Sequence, residues 1–295
     1  MTQPAVYFIV LNYNNASDTI DCVRSIEALN YTNYQIVLVD NLSKDDSAKV
    51  LQEHFPQYPF IQTGENQGYA AGNNVGIDYA MNQGAAYICI LNNDVLVAPD
   101  FLDILVDYAE THGKVGVLGP RICTYEDAQV LESAGSVVNF NKGQVTRLYH
   151  QAKEEAVAGK VIPCDYVGGA CMLLKTDVIR EVGMIPENYF LFYEENEWCV
   201  TIKKAGYDIF CVADAKVIHK GSASINKVSG LSEYFMYRNL IVFMKRNGTL
   251  KNRLIFYPYI LLFAIKSGFT KKNGWRFMGY FKDGITGANK YTGKL

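Results

Sequence analysis

Three apolar runs in the first hundred residues end in side chains that do not suit a core. Asn12-Tyr13-Asn14 closes the run 6–12, Asp40-Asn41 closes 34–40, and Asn92-Asn93-Asp94 follows 87–91. One such end serves as a turn or a helix cap, uses that Asn and Asp share. Three at one edge of one sheet form a site. Further along, Glu194, Glu195 and Glu197 stand between an aromatic run and an amphipathic helix. Clustered like charges raise one another's pKa, which suits a carboxylate to accept a proton. The stretch GENQGYAAGNNVGI has glycines at 68, 72 and 76. Gly68 and Gly72 let backbone approach a ligand, and the helix opening there could face its amides to a phosphate.

The elements that must position these residues follow from periodicity. Apolar, β-rich runs at 6–12, 34–40, 60–63, 87–91 and 115–118 alternate with helix-like segments at 17–29, 45–55, 71–83 and 100–112. Ile20, Val23, Ile26 and Leu29 share one face of the first, and Pro99-Asp100 opens the last. Such alternation predicts an α/β fold: a Rossmann-like, mostly parallel sheet flanked by helices, with ligands at the carboxyl ends of the strands. Residues 121–165 read as a loop-and-hairpin insertion. A glycine-rich stretch, a strand and a helix follow in YVGGACMLLKTDVIREVG, and VADAKVIH is a strand running into His219.

The net charge of −2 conceals an asymmetry. Residues 245–295 hold eleven Lys and Arg and one acidic residue, Asp283, so an acidic body has a basic tail. The tail reads as helices. Its apolar run 254–265 is well short of the roughly 18–20 residues that span a bilayer, and basic residues flank it. That pattern predicts an interfacial helix on an anionic membrane surface, a helix packed on a second subunit being the alternative. The seven cysteines are odd in number and lack a C-x-x-C pair. They are expected to be buried free thiols in a reducing cytosol. No signal peptide is read at the amino terminus.

A dinucleotide-binding protein needs G-x-G-x-x-G after the first strand, and LNYNNASD stands there instead. A P-loop is also absent. In order along residues 5–245 come IVLNYNN, VLVDNLSKDDS, ENQGYAAGNNVGI, ILNNDV, YVGGACMLLKTDVIREVGMIPENYFLFYEENEWC, KKAGYDIFCVADAKVIHKGSAS and YRNLIVFMKRN. With these seven segments the sequence resembles the family 2 glycosyltransferases of GT-A fold, in particular the bacterial rhamnosyltransferase-like branch of surface-polysaccharide assembly.

The resemblance implies an inverting, metal-dependent enzyme that moves a sugar from a UDP- or dTDP-linked donor to a saccharide acceptor, lipid-linked or growing. A GT-A domain would cover 1–228, with a nucleotide half to about 120 and an acceptor half from about 121. A basic, helical, membrane-associating extension would cover 229–295. Asp94 and His219 would hold a divalent cation, Mn2+ or Mg2+, although Asn92 replaces the other acid of the family's motif. Glu195 falls on the position of the base, with Glu194 and Glu197 as alternatives. Asn12, Tyr13, Asn14 and Asp40 would read the nucleotide, Asp40 being otherwise a turn cap. Asn66, Gly68, Asn73, Asn92 and Asn93 would line the sugar-diphosphate, and Arg238 would meet phosphate or form a salt bridge. Gly168 and Gly169 would leave room beside the transferred sugar, and Trp198 would stack on the acceptor. The expected place of action is the cytoplasmic, inner face of the cell membrane, with no nucleic-acid partner and a homodimer possible. Two other functions compete: a catalytically weak sugar-nucleotide-binding subunit, and a sugar nucleotidyltransferase. The latter needs a basic phosphate loop that LNYNNASD lacks.

Overall fold

A computed structural model describes residues 3–221 and 230–291. β1 (Val6–Asn12), α1 (Ala16–Glu27), β2 (Tyr34–Asp40), α2 (Ser47–His54), β3 (Phe60–Gln62), α3 (Tyr69–Asn82) and β4 (Tyr87–Asn92) alternate as the periodicity predicts. β1 pairs in parallel with β2 and β4, and β2 with β3. Alternate residues of these strands enter two cores. Phe8, Val10, Ile36, Leu38, Cys89 and Leu91 pack toward one face; Ile9, Val37, Val39, Ile88 and Ile90 pack toward the other. Burial on both faces explains why the strands read as continuous apolar runs.

The chain continues through β5 (Val95–Val97), α4 (Phe101–Thr111) and β6 (Val115–Thr124). The insertion supplies β7 (Leu131–Ser133), the hairpin of β8 (Ser136–Asn139) and β9 (Gln144–Arg147), and the short edge strand β10 (Val161–Pro163). β11 (Cys171–Lys175), α5 (Thr176–Val182), α6 (Glu194–Lys204) and β12 (Asp208–His219) complete the body. The order across the sheet is β10-β12-β6-β11-β4-β1-β2-β3. β11 runs antiparallel to both neighbours. The insertion leaves β6 at the carboxyl edge and returns there, so β11 starts at that edge and lays its leading glycines beside the ends of the parallel strands. All seven cysteines are buried and free.

Three helices follow: α7 (Leu231–Asn247), α8 (Leu250–Thr270) and α9 (Arg276–Thr286). The expected boundary at 228/229 falls among residues outside the described ones. α7 buries Ile241, Phe243 and Met244 with Tyr189 and Tyr193 of the body and with Phe256 and Ile260 of α8. α8 runs through Pro258 without a break and buries only one stripe, Phe256, Ile260, Ala264 and Ser267. Its outer face leaves Leu254, Leu262 and Phe269 at 68%, 65% and 77% exposure. Among the described residues, no helix is long and apolar enough to cross a membrane.

Candidate active site

Strand register sets Asn12 beside Asp40, and Asn92 beside Leu11. One chain of hydrogen bonds then joins the three polar strand ends. Asn93 Nδ2 donates to Thr19 Oγ1 (2.9 Å), Thr19 Oγ1 to Asn12 Oδ1 (2.9 Å), and Asn12 Nδ2 to Asp40 Oδ1 (2.7 Å). Asp40 is fully buried. It also accepts from Ser43 Oγ (2.6 Å), Ser43 N (2.9 Å) and Gln62 Nε2 (3.1 Å). Its four acceptor positions are thereby occupied. These contacts make the carboxylate the cap of the turn after β2, the alternative to its expected nucleotide contact. Asn14, at φ 52°, accepts Lys44 N on its Oδ1 at 2.6 Å, and Tyr13 is half-buried between β1 and α1.

The α3 side is built by amides. Asn66 Oδ1 accepts from Asn41 Nδ2 and from Gly68 N, both at 3.0 Å. Gly68 has φ 96°, and a Cβ there would stand 2.1 Å from Phe190 O. Asn73 donates to Tyr69 O (2.9 Å), while its buried Oδ1 has no hydrogen-bond partner. Two hollows flank this corner. One, of about 790 Å³, is lined by Asn41, Thr63, Gly72, Asn74 and Glu187. The other, of about 500 Å³, is lined by Leu42, Asn66, Phe190, Arg238 and Tyr291. Neither is lined by Asp94 or Glu195.

Asp94 follows β4, and β5 pairs antiparallel with β12, setting His219 opposite Val95. His219 Nε2 lies 3.3 Å from Asp94 Oδ1, and Nδ1 lies 2.8 Å from Glu132 Oε2. Burial pulls the imidazolium down, but its contacts with Asp94 and Glu132 outweigh that and push His219 up to about 10. Nε2 is buried without an aligned hydrogen bond. An imidazole nitrogen and a carboxylate oxygen this close fit two positions around a divalent cation, the rest falling to substrate phosphate and water. Among the described residues no group of three His, Cys, Asp or Glu completes the set. Glu132 binds the far nitrogen and orients the ring, as carboxylates do behind metal-ligating histidines.

At the same edge, Asn92 N donates to Ala170 O (3.0 Å). Gly169 is held on both sides of its backbone: its N–H donates to Tyr166 Oη (2.8 Å), and its carbonyl accepts from Tyr69 Oη (2.9 Å). A Cβ on Gly169 would stand 1.9 Å from Glu195 Oε1. Burial pushes Glu195 up to about 7. Burial first, then the Glu195 charge, lifts Glu194 well above the carboxylate range, and its Oε2 has no hydrogen-bond partner. The pair therefore resists carrying two charges at once, both carboxyls being held above the ordinary carboxylate range.

The expectation for Trp198 is corrected here, and two others meet competing contacts. Glu197, an alternative for the base, receives Arg246 Nε (2.8 Å), Asn247 Nδ2 (3.0 Å) and Tyr189 Oη, and so joins α6 to α7. Trp198 offers no face to an acceptor. It is 1% exposed in the core, with Nε1 donating to Gly183 O (2.8 Å). Among the described residues Arg238 forms no salt bridge. It lines the smaller hollow, and its guanidinium donates to Asn239 Oδ1 and to the carbonyls of Asn188, Gly287 and Ala288. The residues that the sequence did not single out are Thr19, Ser43, Tyr69, Glu132 and Tyr166. Ser43 in VDNLS was within reach as a turn partner of Asp40. Glu132 gave no local signal, since its partner His219 is 87 residues away.

Residues 7–183 match the family described as Glycosyl transferase family 2. The chain belongs to this family. Among relatives, it is 25% identical over 266 residues to a low-salt glycan biosynthesis hexosyltransferase of Haloferax volcanii, covering 88% of this chain and 81% of that one. It is 22% identical over 254 residues to a dTDP-rhamnosyl transferase of Shigella flexneri, covering 82% and 80%. The N-acetylglucosaminyl-diphospho-decaprenol L-rhamnosyltransferase of Mycobacterium tuberculosis is 26% identical over 213 residues, covering 65% and 68%. Among solved structures, a Pyrobaculum calidifontis mannosyltransferase with GDP-Man and Mn2+ superposes at TM-score 0.59 and 16% identity, covering 97% of this chain and 86% of that one. GalNAc-T7 with UDP, GalNAc and Mn2+ superposes at 0.64 and 15% identity, this chain spanning 54% of it. These likenesses establish the GT-A fold. In this family 2 glycosyltransferase Asn12, Asp40 and Asn92 end β1, β2 and β4, and Glu194 and Glu195 open α6.

Proposed function

We propose that this glycosyltransferase moves a sugar from a UDP- or dTDP-linked donor to a saccharide acceptor in one inverting displacement, with Glu195 as the base. The observation that supports it is the buried Glu195, ionising near neutrality, pressed against the Gly169 backbone at the carboxyl edge. Asn12, Tyr13, Asn14, Asn66, Gly68, Asn73, Asn92 and Asn93 line the donor, and Asp40 shapes the turn beneath it. Asp94 and His219 would hold the divalent cation, Mn2+ or Mg2+, with Glu132 fixing the imidazole. When bound, that cation supplies counter-charge to the departing diphosphate.

Gly168 and Gly169 leave the transferred sugar room to approach. Glu195 accepts the proton of the acceptor hydroxyl as its oxygen attacks the anomeric carbon opposite the leaving group. Burial and the Glu195 charge both raise Glu194, so the two carboxyls resist ionising together.

The acceptor is lipid-linked, and the enzyme works on the cytoplasmic face of a bacterial membrane, in capsule or cell-wall polysaccharide synthesis. Supporting this is the outer face of α8, where Leu250, Leu254, Leu262 and Phe269 are exposed between Lys251, Lys266 and Lys272. A donor panel with Mn2+ or with chelator, assayed on a lipid-linked N-acetylglucosamine acceptor, tests the reading. Turnover that ignores Mn2+ removal would sink the metal role. Nucleotide binding without turnover on any donor would make the chain a binding subunit.

A further inference from the structure

Three of the four residues before the carboxylate pair have left-handed backbone: Phe190 at φ 72°, Phe192 at 68° and Tyr193 at 76°. Bulky aromatics are rarely found there, because Cβ crowds the neighbouring peptide, so surrounding contacts must hold them. Glu194 and Glu195 follow at once, opening α6.

The hold comes from α7. Asn239, fully buried, directs Nδ2 at three carbonyls of the turn: Tyr189 O (3.0 Å), Leu191 O (2.6 Å) and Phe192 O (3.1 Å). Its Oδ1 accepts from Arg238 Nη1 (2.7 Å), which also reaches Asn188 O (3.3 Å). Tyr69 N closes the other side by donating to Phe190 O (2.9 Å). Two turns further along α7 the same dipeptide recurs. Arg246 and Asn247 both donate to Glu197, three residues past Glu194. α7 therefore grips the segment 188–197 on both sides of Glu195.

We propose that Asn239 is a positioning residue for glycosyl transfer: it holds the aromatic turn in left-handed form and so sets Glu195 against Gly169. The inference rests on the reading of Glu195 as the base. Only a primary amide answers the geometry, since one end must donate to carbonyls while the other accepts from Arg238. An aspartate there keeps the size and the Arg238 contact but loses every bond to the turn.

The test is Asn239→Asp in the full chain, beside Glu195→Gln. Donors are dTDP-rhamnose and a UDP-hexose, and the acceptor is the lipid-linked one that supports wild-type turnover. For Asn239→Asp, kcat falls at least tenfold while donor KM stays within twofold. Amide exchange across 188–197 quickens at least tenfold, and β1, β2 and β4 keep wild-type protection. Asn239→Ser, which retains one donor, falls between. Wild-type kcat, or exchange unchanged across 188–197, overturns the inference. So does a KM that rises in step with the loss, or failure of both variants to fold, because Asn239 would then belong to the fold alone. If Glu195→Gln turns over normally, the base reading fails whatever Asn239 does. If Glu195→Gln is inactive and Asn239→Asp is normal, the positioning role alone fails.

Discussion

Glu195 Oε1 occupies the space that a side chain on Gly169 would take, 1.9 Å from the place of its Cβ. The glycine is there for the carboxylate. Gly169→Ala must therefore displace Glu195 or open the Tyr69–Gly169–Tyr166 contact. Transfer should fall at least a hundredfold, while UDP or dTDP still raises the melting temperature as in the parent. Wild-type turnover by Gly169→Ala would disprove the contact.

The ionisation of Glu195 near pH 7 gives a pH dependence with a definite sign. The base must be ionised, so kcat/KM should rise with pH and level off above a midpoint near 7. Stability runs the other way. A carboxyl raised in the fold contributes most below its ordinary value near 4.5, and that contribution is lost as pH rises through about 7. Glu195→Gln, which mimics the neutral form, should lose transfer yet melt no lower than wild type at pH 8. A kcat/KM profile from pH 5 to 9 checks the first sign, and melting curves at pH 5 and pH 8 check the second.

Glu132 touches His219 and not Asp94's carboxylate, so its effect should appear in metal affinity. Glu132→Gln should weaken Mn2+ binding about 10–100-fold, as loss of a carboxylate behind a ligating histidine does. Asp94→Ala should abolish both binding and transfer. Titration of Mn2+ by electron paramagnetic resonance, with UDP or dTDP present, reads affinity apart from turnover.

Glu197 should behave unlike its neighbours. Breaking a buried ion pair costs about 3–5 kcal/mol, but Arg246 is 45% exposed and solvent screens it, so about 1–2 kcal/mol is the fitting range. Urea unfolding of Glu197→Gln should show that loss, with transfer per folded molecule within a few-fold of wild type. Complete loss of transfer in a folded Glu197→Gln would return it to the candidates for the base.

The membrane reading is tested by substitution and not by truncation, because removing α8 and α9 would strip Phe256, Ile260 and Tyr280 from the packed clusters. Leu254→Glu with Leu262→Glu changes only exposed positions. Sedimentation with phosphatidylglycerol vesicles should fall several-fold, with melting temperature unchanged. Vesicle binding equal to wild type would leave the face to a second subunit.

The strands, helices and polar carboxyl edge were legible because each rests on local periodicity or on residues at element ends. Asn12, Asp40 and Asn92-Asn93-Asp94 announced themselves as polar interruptions of apolar runs. What local pattern could not show was which partner each side chain would find. Trp198 looks like a sugar platform in EENEWC, yet helical register turns it into the core beside Ile202. Arg238 looks like a phosphate ligand in YRN, yet its acceptors are carbonyls some 50 residues away. Asp40 matches a nucleotide contact by position, and its bonds to Asn12, Ser43 and Gln62 lay outside local pattern. The left-handed aromatic turn was equally silent, since nothing in NYFLFY marks a backbone that Asn239 imposes from α7.

The chain from Asn93 through Thr19 and Asn12 to Asp40 has a direction. Asn93 and Asn12 give amide hydrogens inward, Thr19 Oγ1 lies 2.9 Å from both Asn12 Oδ1 and Asn15 O, and the chain ends on the Asp40 carboxylate. Asn12 has both ends of its amide committed, and Asn93 has surrendered its NH2 to Thr19 and the Asn15 carbonyl. What Asn93 can still show a ligand is a bare carbonyl oxygen. On the proposed donor reading, that oxygen would receive a substrate hydroxyl or N–H. The Asp40 carboxylate, buried two strands away, anchors the far end of the same chain.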